Sequence, residues 1–292
     1  MSERFSPVSP YVREITVDAD GIPLSGLLSE LPHTPPRAVV VAVHGGGMRA
    51  GYFHGRAHPD LSLLNLGPAL GFTVLALDRP GYGRSATHLP AGQTQAEQSG
   101  TLHAALNGFA RRNPVGAGFF LVAHSYGGKL ALTAAADDIG DRFIGLDISG
   151  CGHRYAVDTE DLPHPHSLAT RRLSWGPLHL YPPNTFAASR SLLSPIPERE
   201  WNEAAAWPSL FPGVARHVRV PVRLTFAEHE AWWRHDDEAL AALTGMLSQA
   251  RVIVDRQPAA GHNISLGWAA RSYHLRALAF LEECLCTAET TR

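Results

Sequence analysis

Phe119-Phe120-Leu121-Val122-Ala123-His124-Ser125-Tyr126-Gly127-Gly128, running on into Lys129-Leu130-Ala131-Leu132, decides the fold. An unbroken apolar run ends at a serine, two glycines follow within three residues, and an Ala- and Leu-rich stretch then takes up helical spacing. A strand apolar on both faces belongs in a buried parallel sheet. Small residues at the turn let the serine backbone take a strained conformation that exposes its hydroxyl. The pattern is that of a nucleophile elbow, with Ala123 where Gly-x-Ser-x-Gly has its first glycine.

Outward from this segment the same alternation repeats. Short apolar runs at 38–43, 72–77, 143–148, 222–226 and 252–254 read as further buried strands, and the stretches 63–70, 101–111, 129–137, 236–247 and 268–284 have helical length and composition. Strands alternating with helices predict βαβ crossovers and helices on both faces of a mostly parallel sheet. Near the start, apolar and polar residues alternate through 11–31 around Asp18-Ala19-Asp20-Gly21, which reads as an antiparallel hairpin. One region departs from this rhythm. Residues 151–217 carry nine prolines and the tryptophans Trp175, Trp201 and Trp207, with short helical patterns and no strand. It reads as a helical cap inserted between two parts of one core, 1–150 and 218–292, and such insertions lie over the strand ends where open α/β sheets bind ligands.

A serine hydroxyl is a poor nucleophile until a base, itself oriented by an acid, takes its proton. His262, in Ala259-Ala260-Gly261-His262-Asn263, follows the last strand and precedes the last helix, where its imidazole can reach back to Ser125. Three carboxylates compete as the orienting acid. Glu230, third beyond the small Ala227 that ends a strand, is the favoured one; Glu228 is nearer that strand, and Asp147 ends the preceding one. His124 adjoins the serine on a strand and points the other way, and His164 and His166 flank Pro165 in the insertion. The run His44-Gly45-Gly46-Gly47 follows a strand, and its glycines allow backbone N–H groups to face a developing oxyanion. Gly46 is the expected donor there, and the N–H of Tyr126, next after the serine, the other.

These motifs, with Asp78-Arg79-Pro80-Gly81-Tyr82-Gly83-Arg84-Ser85 between them, occur in the order and at the strand ends that resemble the α/β-hydrolase superfamily over almost the whole chain. The resemblance implies an eight-stranded, mostly parallel sheet flanked by helices, a cap after the sixth strand, and a Ser-His-acid triad in which a Glu replaces the commoner Asp. The expected activity is hydrolysis of an ester or thioester of a largely apolar acyl group, free or carrier-bound, through an acyl-enzyme, with Trp175, Trp201 and Trp207 each either a pocket wall or part of the packing within the cap. The same triad also serves carbon–carbon bond hydrolysis, lyase, haloperoxidase and cyclisation chemistry. A non-catalytic ligand-binding module is the alternative of a different class.

Composition narrows the field. The 292 residues carry 25 Lys and Arg against 27 Asp and Glu, with 45% hydrophobic and 18% charged residues, a globular balance without the basic excess that binds nucleic acid. The start shows no apolar leader and the chain no run long enough to span a bilayer, so a cytoplasmic protein is expected. Cys151, Cys284 and Cys286 are too few for a disulfide framework. Neither phosphate-binding glycine motif is present, and His54, His58 and Asp60 are not completed into a ligand shell, so neither cofactor nor metal is expected.

Overall fold

The computed structural model describes residues 12–158, 162–164 and 167–290. Strands β1 (Val12–Ala19) and β2 (Ile22–Ser29) form the expected hairpin. Asp20 and Gly21 at its tip both have positive φ, as the tight two-residue turn matching strand twist requires. The strands β3 (Val39–Val43), β4 (Thr73–Leu77), β5 (Phe119–His124), β6 (Phe143–Ser149), β7 (Val222–His229) and β8 (Val252–Gly261) follow. All eight join one sheet in the order β1-β2-β4-β3-β5-β6-β7-β8, parallel from β4 to β8.

The continuous apolar runs are explained by two cores, one on each face. Along β3, Val39, Val41 and Val43 enter one cluster, while Val40 and Ala42 enter the other. The first cluster is closed by Leu102, Ala105 and Leu106 of α2 (Gln95–Ala110) and by Leu130 and Ala131 of α3 (Tyr126–Ala136). The second is closed by Leu63 and Leu64 of α1 (Leu63–Ala69) and by Ala277, Leu278 and Leu281 of α9 (Ala270–Thr290). Between β6 and β7 lie four short helices, α4 (Leu168–Trp175), α5 (Thr185–Ala188), α6 (Glu198–Ala204) and α7 (Trp207–Ala215). The α8 helix (Asp237–Met246) then crosses from β7 to β8, its start capped by the Asp236 carboxylate accepting the Ala239 N–H at 3.0 Å.

Two elements run beyond their apolar signals. The α2 helix begins at Gln95, not near 101, because Thr94 and Glu97 close a reciprocal capping box over a polar first turn. The β8 strand continues to Gly261, well past 254. As an edge strand it tolerates Pro258 and an exposed polar side, and its register with β7 shifts between Ala227 and His229.

Candidate active site

Ser125 stands between the end of β5 and the start of α3 with φ 53° and ψ −116°, a strained backbone for a residue with a Cβ. Space for that turn comes from Gly127, where a Cβ would lie 2.3 Å from the Val43 carbonyl oxygen, so α3 packs directly on the end of β3. Ala123 is wholly buried in the core and does not prevent the strained turn.

Three side chains separated in sequence meet at the C-terminal rim of the sheet. The Ser125 Oγ lies 3.1 Å from His262 Nε2, and His262 Nδ1 lies 2.8 and 3.0 Å from the two Glu230 carboxylate oxygens. The carboxylate only accepts, so Nδ1 carries the ring proton and Nε2 is left to accept from the serine hydroxyl. Glu230 is itself fixed by the Trp232 N–H, 2.9 Å from its Oε1. Behind the pair sits Gly150, at φ +58°, where a Cβ would come 2.9 Å from the imidazole. The His124 ring packs 4.7 Å from that of His262 and stacks on Tyr52 on its other side. Its Nδ1 meets the Ser149 hydroxyl at 3.1 Å, and burial holds its pKa well below the ordinary value. It is a buried support packed against the imidazole.

The other two carboxylates are committed elsewhere. Asp147 is directed toward α9, ion-paired with Arg223 at 2.5 Å and accepting from the Tyr273 hydroxyl at 2.9 Å, because strand alternation turns it from the imidazole. Glu228 is exposed and accepts the Ala259 N–H at 2.7 Å, pinning the turn before His262. His164 is exposed and does not line the cavity at Ser125, and His166 lies outside the described residues. His54 pairs with the Ser62 hydroxyl and His58 accepts the Asp60 N–H; among the described residues no group of three His, Cys, Asp or Glu is placed to hold a metal ion.

The glycine run is held from behind. The Gly45 carbonyl accepts from His44 Nδ1 at 2.8 Å and from Arg79 at 3.2 Å, while Arg79 Nε donates to the His44 carbonyl at 2.8 Å. Across a planar trans peptide the Gly46 N–H is directed opposite to that anchored carbonyl, and Gly46 lines the cavity beside Ser125. Tyr126 is the first residue of α3, where the N–H has no intrahelical acceptor. Arg79 also forms a bidentate ion pair with Glu200 of α6, at 2.7 and 2.9 Å, and Glu200 accepts from the Tyr82 hydroxyl at 2.8 Å. The insertion thus supplies the carboxylate that neutralises the arginine behind the glycine run. Spacing offered no signal for this contact.

Above Ser125 opens a cavity of about 830 Å³ whose walls come from both the core and the insertion. Of the three tryptophans of the insertion, Trp175 and Trp201 line it. Trp207 does not: it is buried behind the wall, its indole N–H donating to the Gly152 carbonyl at 2.9 Å and its ring packed on Phe211. Trp232 and Trp233 line the cavity in its place, carried there by the loop after β7 that also holds Glu230. No helix among the described residues is long and apolar enough to cross a membrane.

The sequence profile of the alpha/beta hydrolase family matches residues 40–278. No curated protein matches the chain. Among solved structures it is similar to a carboxyl esterase from Bacillus coagulans at 16% identity and a TM-score of 0.68, covering 95% of this chain and 100% of that one. The thioesterase domain from a curacin biosynthetic pathway aligns at 16% identity and a TM-score of 0.62, over 91% of this chain and 99% of that one. An E-2-(acetamidomethylene)succinate hydrolase aligns at 20% identity and a TM-score of 0.64, over 93% and 98%. These likenesses carry the fold and no more, but with the profile spanning from the third strand into the last helix, the chain belongs to the alpha/beta hydrolase family of enzymes.

Proposed function

We propose that this protein is a serine hydrolase that cleaves an ester or thioester of a largely apolar acyl group, free or carrier-bound, with Ser125 as nucleophile, His262 as general base and Glu230 as its orienting acid. The observation that carries the reading is the unbroken relay from Glu230 through His262 to Ser125, opening into an aromatic-lined cavity. His262 takes the Ser125 proton as Oγ attacks the carbonyl carbon, and the Gly46 and Tyr126 N–H groups receive the oxyanion, each worth about 3 kcal/mol in the transition state. The imidazolium, held by Glu230, then protonates the leaving group. Water, deprotonated by the same imidazole, releases the acid. Segment 151–217 acts as the cap, and its apolar side chains, Trp175 and Trp201 included, take up the acyl group, whose affinity comes from buried apolar surface.

The test is labelling with a fluorophosphonate alongside turnover of aryl esters. Wild type is expected to be labelled at Ser125, and Ser125→Ala to lose label and at least about 10⁴-fold in kcat while staying folded. Folded wild-type protein that takes no label, or a Ser125→Ala variant that keeps its rate, removes the proposal.

A further inference from the structure

Lys129 is the single lysine in the sequence, and it is placed unusually. It lies one helical turn beyond Ser125 on α3, is 3% exposed, and lines the same cavity as the serine. Four aromatic rings surround its ammonium, those of Tyr126, Tyr155, Trp207 and Trp233 at 5.0, 5.3, 5.6 and 5.5 Å. Its hydrogen bonds are to neutral oxygens, the Tyr155 hydroxyl at 2.8 Å and the Ala204 carbonyl at 3.4 Å. No carboxylate among the described residues forms an ion pair with it.

A buried cation without a counter-charge is costly, and aromatic faces repay only part of the lost hydration. The nearby acids are engaged elsewhere. Glu200 is taken by Arg79 and Tyr82, Glu203 accepts the Gln95 N–H at 2.6 Å, and burial pushes the Cys151 thiol up to about 12, so it stays neutral. Burial likewise pushes the lysine down to about 8, which still leaves most of it charged at neutral pH. Two of the rings around it carry polar atoms that are buried without a partner among the described residues, Tyr126 Oη and Trp233 Nε1, and both residues line the cavity. An ammonium, a phenol and an indole N–H, all able to donate and none bonded to an acid among the described residues, form one cluster in the wall of the catalytic cavity.

We propose that Lys129, Tyr126 and Trp233 form an anion subsite that takes a carboxylate carried by the substrate, so that the preferred substrate is an ester or thioester that also bears a free carboxylate beyond an apolar spacer. The inference rests on the hydrolase reading above and deepens it. The apolar walls hold the spacer, the triad meets the acyl carbonyl, and the substrate supplies the direct ion-pair partner that the one lysine lacks among the described residues. Such a subsite discriminates strongly, because a neutral ester leaves the ammonium unpaired in the occupied cavity.

The experiment compares mono-aryl esters of dicarboxylic acids of increasing chain length with esters of the matching monocarboxylic acids, in wild type and Lys129→Met. The wild-type ratio of kcat/KM, carboxylate-bearing over neutral, is expected to exceed one at a preferred length and to fall by about ten- to hundredfold in Lys129→Met, as expected for a lost hydrogen bond to a charged group. A second readout needs no lysine variant. Growth on ¹³C-lysine labels one side chain, and in Ser125→Ala protein a bound mono-ester is expected to move that resonance and raise its titration midpoint, whereas the neutral ester does not raise it. Wild type that hydrolyses both series without preference, with a lysine titration indifferent to the carboxylate, overturns the subsite and leaves the hydrolase reading standing. Absence of turnover on every ester with no label on Ser125 overturns the hydrolase reading instead, and the lysine resonance still decides whether the carboxylate binds. Should Lys129→Met fail to fold, the same resonance decides the matter.

Discussion

Replacing Glu200 by glutamine separates what the insertion does for stability from what it does for turnover. Arg79 and Glu200 are each 1% exposed, and the arginine spends its remaining donors on the His44 and Gly45 carbonyls and on Gln98. Glu200→Gln preserves shape and leaves an acceptor for Tyr82, but the guanidinium is then buried without a counter-charge. Breaking one side of such a pair costs about 3–5 kcal/mol. At about 2.1 cal/mol/K per residue, a chain of this length loses about 5–8 °C in Tm, measured by calorimetry. Because the same arginine sets the orientation of the Gly45–Gly46 peptide, kcat on an aryl ester, measured well below the lowered Tm, is expected to fall about tenfold or more, toward the 10²–10³ of a lost oxyanion donor. The double variant Arg79→Met with Glu200→Leu discriminates further. Apolar replacement of a buried pair restores stability in other proteins, so Tm is expected to recover while kcat stays low, since the Arg79 donors to the His44 and Gly45 carbonyls are then gone and His44 Nδ1 alone holds the latter. Refutation is simple: Glu200→Gln with a Tm within about 2 °C of wild type and an unchanged kcat would show that neither the pair nor the anchored peptide matters.

The acid assignment is tested by comparing two neighbouring glutamates: Glu230→Gln is expected to lower kcat by about 10³–10⁴-fold, by analogy with orienting acids in other triads, and Glu228→Gln by far less, with the reverse ranking moving the role to Glu228. Acid sensitivity follows from histidines buried in neutral form. Burial, with the adjacent Arg79 charge, pushes His44 down to about 3, where its Nε2 accepts the Arg79 N–H, and burial pushes His274 down to about 3 as well. Between the ordinary value of 6.5 and about 3 the unfolded chain binds a proton at each that the native state refuses, so stability falls as pH falls. The slope is about 1.4 kcal/mol per pH unit for each histidine, and urea melts showing flat stability from pH 6 to about 5, above the carboxylate range, would contradict it.

Legibility in the sequence followed the range of the interaction. The strand runs, the elbow at Ser125 and the position of His262 are patterns within a few residues, and each appears where local chemistry puts it. Loop position favours Glu230 over its rivals, and the distinction from Asp147 depends on which face of β6 that side chain occupies, Asp147 going to Arg223 and Tyr273. A period-two strand fixes that two residues differ in face, not which face meets which helix. Trp207 shows the same limit. In the insertion no single period marks a buried side, so the sequence does not distinguish Trp175, Trp201 and Trp207, and packing alone sends the third behind the wall onto Phe211. Glu200 and Lys129 were beyond any local reading for a further reason. Glu200 takes its meaning from an arginine 121 residues away, and Lys129 from the lack of an ion-pair partner among the described residues, which follows from the neighbouring carboxylates Glu200 and Glu203 being bonded elsewhere. Charged groups that settle the chemistry of a cavity are therefore the last to be legible, because their state is set by what the fold brings, or fails to bring, within a few ångströms.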